Sequence, residues 1–187
     1  MAKVITFSRT FPAYHPKAGF PTFFVEKFWN GIKESNNPSG LEQEYSNWFN
    51  HNDDFIPKLH TIRAGKRFSE GEYFSPRVWG SNINKKSGRR GPYHSDQIII
   101  GPDIKIEKVY NFEIKCEANS EMPNDISNFI YINKKLLQWK DYEYLCKNDG
   151  LFLDDFLHWF KIEADGEECK PVSFSGQIIC WNEKVNY

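Results

Sequence analysis

Apolar positions change period several times along the chain, and each change marks an expected element. "KVITFS" is short, apolar and β-branched, which predicts a first strand. "RTFPAYHPKAGFP" is interrupted by Pro12, Pro16 and Gly19, so it predicts a structured loop, one that keeps Arg9, Tyr14, His15 and Lys17 close together. Pro21 then suits a helix start, and Val25, Phe28, Trp29 and Ile32 recur at i, i+3, i+4 and i+7, the spacing of a helix with one face on the core. "KESNNPSG" has the composition of a linker, and the next stretch sets Leu41, Tyr45, Trp48 and Phe49 on one helical stripe. Residues 34–55 therefore read as a helical insertion within a single domain spanning 1–187.

Strand-like runs follow at "EYFSPRVW", "SDQIIIG", "IKIEKVYNFEI" and "SNFIYIN", separated by turn formers. "LFLDDFLHWF" returns to helical spacing through Leu153, Phe156, Leu157 and Phe160, with Asp154 and Asp155 in the first turn, where the helix dipole favours negative charge. "FSGQIICW" closes the pattern as a last strand. Several strands without long crossovers favour antiparallel neighbours that close up, so the expected fold class is α+β, a mixed β-barrel flanked by helices.

Composition narrows the function classes. The 187 residues are enough for one real core, and with 40% hydrophobic and 26% charged residues the chain is not a disordered one. Aromatic residues reach 17%, more than a surface can carry, so most belong to the core and some can line a cleft. A net charge of -1 excludes a broad electrostatic nucleic-acid binder but leaves room for a local basic patch. That patch is "NKKSGRR", where Lys85, Lys86, Arg89 and Arg90 share one Gly/Ser/Asn-rich loop. Such a loop either contacts a polyanion or simply keeps strand edges solvated. Cys116, Cys146, Cys169 and Cys180 form no C-x-x-C pair and have no His at zinc-finger spacing, which predicts reduced thiols and neither a metal nor another cofactor. With no signal-like amino terminus and no apolar run of membrane length, a cytoplasmic protein with no membrane partner is expected.

Polar chemistry concentrates in "IPKLHTIRAGKRFSEGEYFSPRVW", where Lys58, His60, Thr61, Arg63, Lys66 and Arg67 crowd before a turn. Residues three apart on an ideal strand face opposite ways, so Lys58 meets Thr61 only if the chain curls after Pro57 and extends from Thr61 onward. An amine beside a hydroxyl can take its proton while the oxygen attacks. Lys-x-x-Thr alone is uninformative, since chance supplies it about once in every two chains of this length.

The segment "KLHTIRAGKRFSEGEYF", with "KNDGLFLDDFLHWF" and "SGQIICW" downstream, resembles the ASCH family. The resemblance implies a PUA-like β-barrel. Within the family it is similar to small bacterial amidohydrolases that deacetylate acetylcytidine, matching their motif at Lys58, Thr61, Ile62, Arg63, Phe68, Gly71, Glu72 and Asp149. It implies Thr61 as nucleophile or water-positioning group, Lys58 as its base, and Asp149 as the acid that orients the amine or protonates the leaving nitrogen. Those relatives carry Glu where this chain has Asp149, and they lack the 34–55 insertion and much of 80–145. The opening "FSRTFPAYHPKAG" is similar to that of larger ASCH proteins.

Around this centre, Arg63 shares the strand face of Thr61 and is expected in a pocket wall or on a phosphate. Arg9, Tyr14 and His15 have no core-like spacing and are candidate ligand contacts. Trp79 is expected in the core rather than stacked on a base, and His60 and His158 are expected to pack. Three functions stay open: hydrolysis of an exocyclic amide on a modified cytidine, non-catalytic reading of RNA or of a modified base in RNA or DNA, and a structural or regulatory role with no small ligand.

Overall fold

In a computed structural model that describes residues 2–35, 44, 45, 47, 48, 54–118, 126–162 and 172–187, the chain is an α+β fold with its strands in two sheets. The first sheet contains β1 (Lys3–Phe7), β3 (Tyr73–Trp79), β4 (Gln97–Ile99) and β5 (Ile104–Lys105), with β3 at its centre. The second runs in the order β2 (His60–Ala64), β9 (Phe174–Cys180), β6 (Lys108–Ala118), β7 (Ile126–Ile132) and β8 (Lys135–Leu136). Helices α1 (Phe24–Ser35), α2 (Tyr142–Asn148) and α3 (Leu153–Phe160) join them, and a short 3-10 turn, Trp139–Asp141, leads into α2. Most of the expected 34–55 insertion, and Cys169, lie outside the described residues.

Two departures from the expected barrel matter for function. First, β1 pairs with β3 in parallel, from Lys3↔Phe74 to Phe7↔Val78, where antiparallel neighbours were expected. The crossover that parallel pairing needs is supplied by α1 and β2, which lie between the two strands in sequence. Second, among the described residues the ladders do not close into one ring: β1 pairs only β3, and β2 pairs only β9. What bridges the β1 and β2 edges is a side chain, Arg63 donating from Nη2 to the Thr6 carbonyl at 2.7 Å. A notch is left between two strand edges.

The expected long strand "IKIEKVYNFEI" divides for a related reason. Ile106 donates its N–H to Glu72 O at 2.8 Å beside the first sheet, and Glu107 donates to Cys180 O at 2.8 Å at the end of the second. The chain changes sheets there, with Ile106 fully buried as the anchor. One core serves both sheets. Phe28 of α1 lies 5.1 Å from Phe7 and 5.4 Å from Trp181 between ring centroids, and Phe160 of α3 packs 5.7 Å from Phe112 and 5.3 Å from Phe174. The stripes Val25-Phe28-Trp29-Ile32 and Phe156-Leu157 are buried as their spacing predicts.

Candidate functional site

Lys58 lies just outside β2, in a segment stitched to three neighbours. Its N–H donates to Lys27 O of α1 at 2.8 Å, Leu59 N–H donates to Asn148 O of α2 at 2.8 Å, and Leu59 O accepts from Trp181 N at 3.2 Å. The close approach to α1 needs Gly31, since a Cβ there would run into the Lys58 carbonyl. With its backbone pinned, the Lys58 side chain is only 1% exposed. Its ammonium sits 4.4 Å from the Phe24 ring centroid and reaches the end of α2.

Asp149 is presented by a helix stop. Gly150, at φ +74°, takes the left-handed turn; Gly150 N donates to Lys147 O at 2.9 Å and Leu151 N to Cys146 O at 3.0 Å. That pattern is a Schellman motif with Asp149 as the cap. Lys58 Nζ donates both to the Asp149 carbonyl and to its Oδ1, the latter at 2.6 Å. A cation therefore caps the helix carbonyls and pairs with a buried carboxylate through the same amine.

The pair opens onto a cavity of about 200 Å³ at the notch between β1 and β2. Lys58, Asp149, Thr61 and Arg63 supply its chemistry, with Thr6 and Ser8 from the β1 side. Phe24, Trp79, Trp159 and Phe160 supply aromatic wall. The Thr61 hydroxyl has no hydrogen-bond partner among the described residues, and Thr61 is 4% exposed. Arg63, its guanidinium 5.7 Å from the Phe7 ring, is wedged between the sheets.

Burial governs the electrostatics. Loss of water pushes the Lys58 ammonium down to about 8, against the opposing pull of Asp149. The same desolvation raises Asp149, against Lys58 and Arg63. Both members are thus driven toward the neutral pair, a proton's transfer apart. Desolvation lowers Arg63 to about 10 and holds His60 well below the usual imidazole range, so His60 is neutral.

Placement of the expected site residues is mixed. Lys58, Thr61, Arg63 and Asp149 all reach one cavity, but Lys58 engages Asp149 rather than Thr61, because the buried amine finds a full negative charge at the helix end. Arg9, Tyr14 and His15 do not line it. His15 is buried, stacked 4.4 Å from Phe11, with Nε2 at 3.1 Å from Asp155 O of α3 and Nδ1 accepting from Lys17 N; tying the loop to α3 uses both ring nitrogens. Tyr14 donates to Trp159 O at 2.9 Å, one layer behind the wall, while Arg9 is exposed. Lys85, Lys86, Arg89 and Arg90 are exposed on a loop held by Asn84, whose Oδ1 accepts from Lys86 N and Ser87 N at 3.0 Å each and whose Nδ2 donates to His94 O at 2.9 Å. The same loop contributes Pro92 to the cavity wall.

Three features escaped the sequence. Trp79, expected in the core, forms cavity wall and lies 5.5 Å from Tyr93, itself 88% exposed. Phe160 was legible only as part of a helical stripe, and Trp159, off that stripe, was not singled out. His60, expected to pack, has Nε2 3.7 Å from Asp149 Oδ1 and Nδ1 2.9 Å from the Tyr187 hydroxyl, and only the distant Tyr187 could have marked it.

Comparison of the chain with protein-family models, with curated proteins and with solved structures gave no match. Among the described residues there is no group of three or more His, Cys, Asp or Glu able to hold a metal, and no helix long and apolar enough to cross a membrane.

Proposed function

We propose that the cavity binds a nucleobase bearing an acylated exocyclic nitrogen and hydrolyses that amide, as the ASCH-like motif and its PUA-like fold imply, with the protein acting in the cytoplasm. One observation carries the proposal: a buried Lys58–Asp149 pair opening, together with Thr61, into an aromatic-walled cavity. Thr61 provides the attacking oxygen, its own or that of a water it holds, and Lys58 Nζ takes the proton as the oxygen bonds to the amide carbon. Arg63 stabilises the oxyanion. The C–N bond then breaks as Lys58 Nζ, held in place by Asp149, passes the proton to the departing exocyclic nitrogen. Attack by the held water releases the acyl group as the free acid; attack by Thr61 itself leaves an ester on its oxygen, which a water deprotonated by Lys58 then hydrolyses, the proton returning to Thr61 as the acid departs. Phe24 and Trp159 supply faces for the base.

The test is deacylation of acetylcytidine and related N-acylated nucleosides, followed by chromatography. The wild type should turn over, and Thr61→Ala should fall by on the order of 100-fold or more. No turnover by a folded wild type on any of them would overturn the hydrolase.

A second reading, a non-catalytic reader of RNA or of modified bases, is favoured by the loop that carries Lys85, Lys86, Arg89 and Arg90 while giving Pro92 to the cavity. A cavity of about 200 Å³ falls below the roughly 300–1,000 Å³ that encloses drug-sized ligands. It houses a single ring-sized group, and whatever that group is attached to lies outside, against this loop. Binding that weakens steeply with salt, without turnover, would select the reader.

A further inference from the structure

His60 approaches the carboxylate of the Lys58–Asp149 pair, and Tyr187 and Asn148 back it in turn. His60 is fully buried on β2; Tyr187 reaches its Nδ1 at 2.9 Å; and Asn148 of α2 donates from Nδ2 to the same Tyr187 hydroxyl at 3.3 Å. We propose that Tyr187 locks His60 in its Nε2-protonated tautomer, and that this N–H faces the Asp149 carboxylate and holds it on Lys58. His60 is then a positioning residue, one that acts through Asp149.

Hydrogen-bond accounting fixes the tautomer. The Tyr187 oxygen accepts from Asn148 Nδ2, and among the described residues the hydroxyl's own proton has His60 Nδ1 as its acceptor. Nδ1 is then the acceptor, and in a neutral ring Nε2 carries the hydrogen. The opposite tautomer would aim the Nε2 lone pair at Asp149 Oδ1, 3.7 Å away, where low dielectric makes the repulsion costly. At 3.7 Å the contact is longer than a hydrogen bond, as such contacts often are before substrate arrives. Nε2 has no hydrogen-bond partner among the described residues, so Asp149 is the charge it serves. Tyr187 is held for the task, its ring packed edge-on against Tyr110 at 5.3 Å and Tyr144 at 5.7 Å.

The inference rests on Lys58–Asp149 being the working pair, and its test reads the ring directly. Long-range ¹H–¹⁵N NMR of the labelled protein should show His60 protonated at Nε2 and bare at Nδ1, with the Nδ1 resonance shifting in Tyr187→Phe. Protonation at Nδ1, or at both nitrogens, overturns the proposal whether or not the protein deacylates anything. In the acetylcytidine assay, His60→Gln, which places an amide N–H near the Nε2 position, should keep most of kcat. His60→Asn reaches only the Nδ1 position and should lose on the order of tenfold in kcat. Equal losses in the two variants would overturn the positioning role. The expected tautomer in a protein without turnover would support the pairing and count against the hydrolase alone.

Discussion

An amine sealed beneath Phe24 keeps its charge only while Asp149 keeps its own, and this sets the pH behaviour of the site. With Lys58 near 8, catalysis by the neutral amine should rise about tenfold per pH unit on the acid side and level off above pH 8, in a kcat/KM profile. Asp149→Asn removes the charge that raises Lys58, so the midpoint should move to lower pH. Stability carries the matching sign. Between about 8 and the ordinary 10.5, the unfolded chain binds a proton at Lys58 that the folded chain has lost, so the Lys58 contribution to stability should increase with pH across that window, read as the difference between wild type and Lys58→Met, while the buried thiols of Cys146 and Cys180 act in the opposite direction in both proteins. Lys58, Thr61, Arg63 and Asp149 were legible as candidates because their types and order carry a motif. The partnership of Lys58 with Asp149 was legible only through that resemblance, since the two are 91 positions apart. His15 misled because a buried, hydrogen-bonded histidine in a proline-bounded loop has the same local sequence as a ligand-facing one.

At the scale of elements, two glycines set the reach of Lys58. Gly31 lets α1 lie against the Lys58 carbonyl, so Gly31→Ala should cost about 1–3 kcal/mol or more, seen as a lower midpoint in thermal or urea unfolding. Gly150→Ala places a Cβ at φ +74° and 3.2 Å from Lys58 Cβ, and should cost about 1–2 kcal/mol and disturb turnover as well. The helix that Asp149 and Gly150 end, α2, left no clear mark in the sequence. At seven residues, its four buried side chains, Tyr142, Leu145, Cys146 and Asn148, make too short a stripe to stand out. The two strongest helical stripes and most strand runs were found, because burial on one face imposes a period. The parallel pairing of β1 with β3 was not, because period tells which face is buried and says nothing of the partner.

For the whole molecule, a net charge of -1 conceals a local asymmetry: the four cations of the 85–90 loop stand at the side of the cavity that Pro92 closes. If a polynucleotide strand crosses that side, replacing Lys85, Lys86, Arg89 and Arg90 with Ser should weaken oligonucleotide binding. It should also flatten the log K against log salt slope by about 0.7 for each phosphate of a single strand that the variant no longer neutralises. A titration of labelled oligonucleotide at several salt concentrations checks this, and an unchanged slope would assign the loop to solvation alone.

The order in which the chain is made bears on when the site can exist. β1 must wait for β3, and Thr61 of β2 finds its ladder partner only in Ile179 of β9. At about 5–20 residues per second, the ribosome exposes β2 for several seconds before β9 emerges to cover it. The half-built β2 edge is then a sticky template, and a nascent chain stalled short of β9 should be a client for chaperones and proteases, with no cavity to bind anything.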